Sequence, residues 1–223
     1  MGMGARMAMP IEDQILTLNQ WLSPAYPVGA FAYSHGLEWL VEAGDVATVR
    51  DLENWLTDVL RYGAGQSDAR FLVAAFRADN VAQVARIDAT CRAFAPSRER
   101  LKESDLQGAA FCKVTAAVWA QDLVGLSYPV AVGRAASLEG LPLALTLRLF
   151  LQAFVGNLVA AGMRLNVLGQ TEGQHLIKAL TPLVTDVADL AMSGTLDDLS
   201  GIAFGADIAA MKHETQYSRI FRT

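Results

Sequence analysis

Apolar positions recur at helical spacing along most of the chain. Leu52, Trp55, Leu56, Val59 and Leu60 fall at i, i+3, i+4, i+7 and i+8, which lines one face of a helix. Thr48, with Asp51 three residues on, forms a capping-box pattern ahead of it, and Gly63 to Gly65 mark its weakened end. The same reasoning predicts helices over about 11–21, 30–43, 67–78, 80–93, 98–123, 141–165, 171–192 and 206–213. Gly140-Leu141-Pro142 is a start signal, because proline fits the first helical turn. The segment 141–165 carries Leu143, Leu147, Phe150, Leu151, Phe154 and Leu158, with more leucine and alanine on its other faces. A helix apolar nearly all round belongs in the middle of a bundle. Its uncharged apolar stretch, Leu149 to Met163, is 15 residues long. A bilayer crossing takes about 20, so a core helix is expected rather than a membrane span.

Strand signals are nearly absent. The best candidate, Tyr128-Pro129-Val130-Ala131-Val132, is short and begins at a proline. No repeat and no Ser/Gly-rich linker divides the chain. The mixed stretch from Ser193 to Gly205 reads as the one long loop. The expected architecture is all-α: a single compact helical bundle over 11–205, with a mobile Met-rich leader at 1–10 and a flexible partner-binding tail at 206–223.

Composition narrows the function. Hydrophobic residues make up 52% of the 223 residues and charged ones 18%, the reverse of a disordered chain. The net charge is −5, with no basic block, which argues against nucleic acid as a partner. The apolar surplus points instead to surface kept for another protein. Cys91 and Cys112 show no zinc spacing and read as buried thiols. The start of the chain has no apolar run long enough for a signal peptide, so a cytoplasmic location is expected.

A catalytic centre is hard to find. His35, His175 and His213 lie in three distant segments, none with a second ligand at metal spacing. Asp197-Asp198 reads as a solvated turn. Gly169-Gln170-Thr171-Glu172-Gly173-Gln174-His175 lacks the lysine of a phosphate loop and reads as a helix break, with Thr171 as cap and Gln170 and Gln174 covering exposed backbone groups. The stretch from Trp21 to Glu38 is the densest unusual one. Two prolines forbid helix through 23–27, and Phe31, Ser34, His35 and Glu38 then return to helical spacing among small residues. A buried helix start and a partner-docking face both stay open for it. In the tail, Tyr217, Ile220 and Phe221 fall at i, i+3, i+4 with Arg219 and Arg222 between them. These are residue types enriched at interface centres, so a partner is favoured over docking on the chain's own core.

Three of these stretches together resemble the UreF family of urease accessory proteins. They are Ser23-Pro24 with Pro27 to Glu38 (including Phe31, Tyr33, Ser34, His35), then Arg164-Leu165, Leu168 to Gln170 and Gly173-Gln174, then His213-Glu214-Thr215-Gln216-Tyr217-Ser218-Arg219-Ile220-Phe221-Arg222. They run in the family's order from about residue 11 to the end. The departures are Ala32 where the family usually has serine, Val167 where it usually has proline, and Thr223 where it often ends in serine.

The resemblance implies an all-helical homodimer with no catalysis of its own. It implies partners UreD (UreH in some species), the GTPase UreG and the urease apoprotein, and a role in delivering nickel to the urease active site when GTP is hydrolysed. It marks Phe31, Tyr33, Ser34, His35, Glu38, Gln170, Gln174, His213, Glu214, Tyr217, Arg219, Ile220, Phe221 and Arg222 as partner-binding candidates. In the UreD complex of such proteins the carboxy-terminal segment becomes ordered, so the expectation here is a free tail that buries Tyr217, Ile220 and Phe221 on binding. No tightly bound cofactor or metal is expected, because scattered histidines make a poor nickel store; nickel would be cargo in transit within the assembled complex. Two other classes compete: a helical small-molecule enzyme with an apolar pocket along 141–165, and a GTPase activator that inserts an arginine, for which no single arginine stands out.

Overall fold

The computed structural model describes residues 9–222, so most of the expected leader, residues 1–8, and Thr223 lie outside the described residues. The apolar stripes become α1 (Ile11–Trp21), α2 (Leu37–Ala43), α3 (Val49–Tyr62), α4 (Ala64–Arg77), α5 (Val81–Ala93), α6 (Arg98–Trp119), α7 (Tyr128–Glu139), α8 (Leu143–Arg164), α9 (Gln170–Ser193) and α10 (Phe204–His213), with 3-10 turns at Ala30–Ala32 and Leu196–Asp198. Among the described residues there is no strand.

Local chemistry explains most boundaries. Thr48 accepts the Asp51 N–H at 3.2 Å while Asp51 accepts the Thr48 N–H at 2.9 Å, the capping box read from sequence. Leu52, Trp55, Leu56, Val59 and Leu60 are all buried on the inner face of α3. The supposed strand at 128–132 is instead the first turn and a half of α7. Pro129 sits where its missing N–H costs nothing, and Val130, Ala131 and Val132 are buried, so packing overrides β-propensity. α6 ends at Trp119, short of the expected 123, because Ala120 turns left-handed at φ 53°. The break before α9 is capped by Glu172, which accepts the Gly169 N–H at 2.8 Å, and not by Thr171.

The bundle is built on two close pairings, α4 against α7 and α8 against α9. Gly133 makes the first possible: a Cβ there would stand 2.2 Å from the Leu72 carbonyl oxygen. Leu147, Phe150, Leu151, Val155, Leu158 and Val159 put α8 in the core, and every residue of this helix except Arg164 is buried or half-buried. By length and composition α8 is also the one helix among the described residues able to cross a membrane. Burying such side chains contributes roughly 1.5–3 kcal/mol each. Cys91 and Cys112 are free and buried, as expected from sequence, and burial pushes the Cys91 thiol up to about 12.

Candidate functional site

The helix expected over 30–43 is interrupted, and the interruption builds the site. Tyr33 is extended at φ −125° and ψ 133°, and His35 takes a left-handed φ of 57°. Gly36 follows at φ 80°, where a Cβ would fall 2.5 Å from the Ala210 backbone nitrogen of α10. The chain therefore bends at the one place where α10 presses on it. Tyr33, Ser34, His35 and Glu38 are turned inward and buried, while Phe31 is left 66% exposed.

Glu38 is the centre of an outer cluster. Its carboxylate accepts the Ile220 N–H at 2.6 Å and the Phe221 N–H at 2.9 Å, and His213 Nε2 lies 3.1 Å away. His213 is fully buried, and its Nδ1 lies 2.7 Å from Glu99 Oε2 on α6. A ring nitrogen thus faces each carboxylate. Arg219 reaches the other Glu99 oxygen at 2.7 Å. Phe221 is 3% exposed, with the Arg164 guanidinium 4.5 Å from its ring centre. Arg164 also donates to the Phe31 carbonyl, and the Arg222 N–H donates to the Ala32 carbonyl at 2.8 Å. Glu214 accepts the Arg98 N–H at 2.9 Å, placing a negative charge at the start of α6. Eight separate contacts therefore tie the tail to α2, α6, α8 and the 31–32 turn.

His35 belongs to a second, inner cluster. Its Nε2 lies 2.8 Å from both Glu103 Oε1 and Arg100 Nη1, and its ring stands edge-on to Phe154 at 5.0 Å. Glu103 pairs with Arg100 and accepts from Gln107 at 2.8 Å. Burial and the neighbouring Arg100 charge hold the His35 pKa low, which keeps the ring neutral. Burial pushes Glu103 up, but Arg100 and His35 outweigh it and bring the carboxyl down to about 2.

Comparison with known proteins decides the family. The family model for UreF matches residues 46–181. The chain is 59% identical to the urease accessory protein UreF of Ruegeria pomeroyi, over 97% of this chain and all of the relative. It is 53% identical to that of Roseobacter denitrificans, over 95% of both chains, and 48% identical to that of Cereibacter sphaeroides, over 94% of this chain and 98% of the relative. The chain belongs to the UreF family of urease accessory proteins.

Within this UreF-family chain the tail departs from the sequence expectation. The sequence predicts a free tail over 206–223, whereas the structure seats it on the body through Glu38, Glu99 and Arg164. The expected shared face of Tyr217, Ile220 and Phe221 is also lost, because α10 stops at His213 and turns and bends follow. Phe221 goes in; Tyr217 is fully exposed and Ile220 is 72% exposed. Gln170 and Gln174 lie exposed at the start of α9, away from both clusters' hydrogen bonds, and His175 is exposed beside them. Sequence reasoning missed Glu99, Arg100 and Glu103. A signal existed: Arg100, Glu103 and Gln107 recur at i, i+3, i+7 on α6, a polar stripe that proves to be buried.

The pocket imagined along 141–165 is present as a cavity of about 550 Å³ beside Phe150, Phe154 and Met163. Its charged groups are Asp68 from α4, Arg100 and Glu103 from α6, and Arg164 at the end of α8. Among the described residues no three His, Cys, Asp or Glu side chains are grouped so as to hold a metal ion.

Proposed function

We propose that this chain is a non-catalytic adaptor in the assembly of the urease nickel site. It joins UreD (UreH) to the GTPase UreG and brings them to the urease apoprotein, so that nickel is inserted as GTP is hydrolysed. In this reading it works as a homodimer in the cytoplasm, outside any membrane, and nickel is cargo of the assembled complex. Its membership of the UreF family supports the reading.

The observation that carries it is the division of labour in the tail. His213 and Phe221 are spent on fixing the segment, while Tyr217 and Ile220 stand in solvent. Ile220 and the exposed Phe31 line one shallow groove, together with Arg164 and Arg222. Aromatic, isoleucine and arginine side chains held rigidly at the surface are what a partner interface uses, since little ordering entropy is left to lose on binding.

Pull-down with UreD and UreG tests this. Deleting 212–223 abolishes co-purification of UreD and leaves helical content near normal, because α1–α9 are untouched. The Tyr217→Ala/Ile220→Asp double variant loses UreD too, although the tail stays docked. Complexes that form unchanged with both proteins would reject the proposal. Comparing UreG turnover with and without the chain then separates an adaptor from a GTPase activator.

A further inference from the structure

The cavity along α8 has a chemistry that the tail does not use. At about 550 Å³ it falls in the size range of small-molecule sites. Tyr128, Phe150, Phe154 and Met163 form apolar walls, with the Tyr128 and Phe150 rings 5.6 Å apart. On the same side Gly156 leaves open space, since a Cβ there would meet nothing within 4 Å.

The inner end is charged, and its charges do not balance. Arg100 is committed to Glu103 and His35. Asp68, on α4, has only the other arm of Arg100, at 3.7 Å, and no hydrogen bond to its carboxylate among the described residues. A fifth of its side chain is accessible, and the space it faces is cavity: it lines both this one and a smaller one of about 220 Å³ behind Arg100. Two carboxylates thus share one guanidinium, with His35 neutral. Burial first, and Glu103 second, push the Asp68 carboxyl up to about 6, the mark of a charge poorly compensated where it stands. The other cation at the cavity, Arg164, turns its guanidinium to Phe221 and the Phe31 carbonyl at the rim.

A partly buried carboxylate short of a counter-charge, next to aromatic walls, suits a positive group carried on an apolar body. A neutral molecule would leave Asp68 uncompensated, and an anion would be repelled. We propose that this cavity is a binding site for a small organic cation, an ammonium or guanidinium group with an apolar body, whose charge pairs with Asp68 and whose body lies against Phe150, Phe154 and Met163. The site is independent of the adaptor reading, and its test uses no urease partner.

Calorimetric titration of the full-length protein with phenethylammonium chloride is the experiment, with 2-phenylethanol, phenylacetate and nickel chloride as comparisons. Phenethylammonium saturates one site, and the alcohol and the acid bind at least tenfold more weakly. Asp68→Asn weakens the ammonium at least tenfold. Gly156→Leu, which fills the cavity away from the charged cluster, removes binding and keeps the test open should the Asp68 variant fail to fold. No saturable binding, equal binding of the alcohol, binding unchanged in the two variants, or displacement of the ammonium by nickel would each overturn the proposal.

Discussion

His35 and His213 are both buried, both lie against glutamates and both stand near an arginine, yet they hold different things. His35 joins the bend at 33–36 to α6 through Glu103 and Arg100, deep among helices that carry the core. His213 lies between Glu38 and Glu99 and joins the last helix and the tail to the outside of the same body. In the inner cluster an arginine supplies the positive charge and the ring is neutral. In the outer one, backbone N–H groups, Arg219 and the ring itself satisfy the carboxylates. The inner cluster cannot open without parting helices. The outer one can, because what it releases is a short segment at the end of the described chain, with His213 and Phe221 as its deeply buried side chains. A similar set of groups therefore serves once as part of the core and once as a latch.

Removing Glu103 should have the largest effect. Glu103→Gln leaves Arg100 buried against Asp68 alone and should lower global stability by about 3–5 kcal/mol in urea denaturation. A loss no larger than that of an outer-cluster variant would break the distinction. Glu38→Ala comes next. It strips the partners from the Ile220 and Phe221 N–H groups and from His213, weakening tail docking by about 2–3 kcal/mol. The expected readout is rapid trypsin cleavage after Lys212 and Arg219 with a nearly unchanged circular dichroism spectrum. A spectrum that collapses with the tail would mean that the latch is core.

Acid sharpens the comparison further. Burial holds the Asp68 carboxyl up at about 6 in the fold, against an ordinary 3.8, so the folded state favours the protonated form. Its contribution to stability is present at low pH and is lost as pH rises through about 6. Asp68→Asn should therefore be more stable than the parent at pH 7.5 by about 1–2 kcal/mol, with the gain vanishing toward pH 4. Glu103, held at about 2, works in the other direction: its contribution persists at neutral pH and fades as pH falls through that value. Tyr217→Ala should change stability least, within about 0.5 kcal/mol, because its side chain touches solvent alone. A melting shift of several degrees in that variant would show that the exposed tail residues pack on the body.

Much of the fold was legible from periodicity, and the reasons are local. The stripe from Leu52 to Leu60 and its Thr48–Asp51 cap depend on residues within a turn or two of each other. So does the apolar α8. The segment 128–132 stands out as the best strand candidate in a chain nearly without strand signals, because Val and Tyr favour strands only where a sheet exists to receive them, and here α4 and α6 surround them instead. The bend at Tyr33–Gly36 was hidden for a different reason. It is paid for by partners far along the chain: Glu103 is 68 residues from His35, and α10 lies against Gly36 from the other end of the molecule. The histidines and Glu38 could be singled out as unusual, but Glu99, Arg100 and Glu103 look like ordinary helix-surface residues until α6 is packed. Tyr217, Ile220 and Phe221 were grouped by a helical spacing that the tail does not adopt.

The central claim is that Glu38 latches the tail in the isolated chain and so holds Tyr217 and Ile220 ready at the surface. Amide hydrogen exchange at Ile220 and Phe221, followed by NMR on the protein without partners, tests it most directly. The account predicts slow exchange at both positions in the parent and fast exchange in Glu38→Ala, with α8 amides protected in both. Exchange at the rate of an unstructured peptide in the parent itself would contradict it.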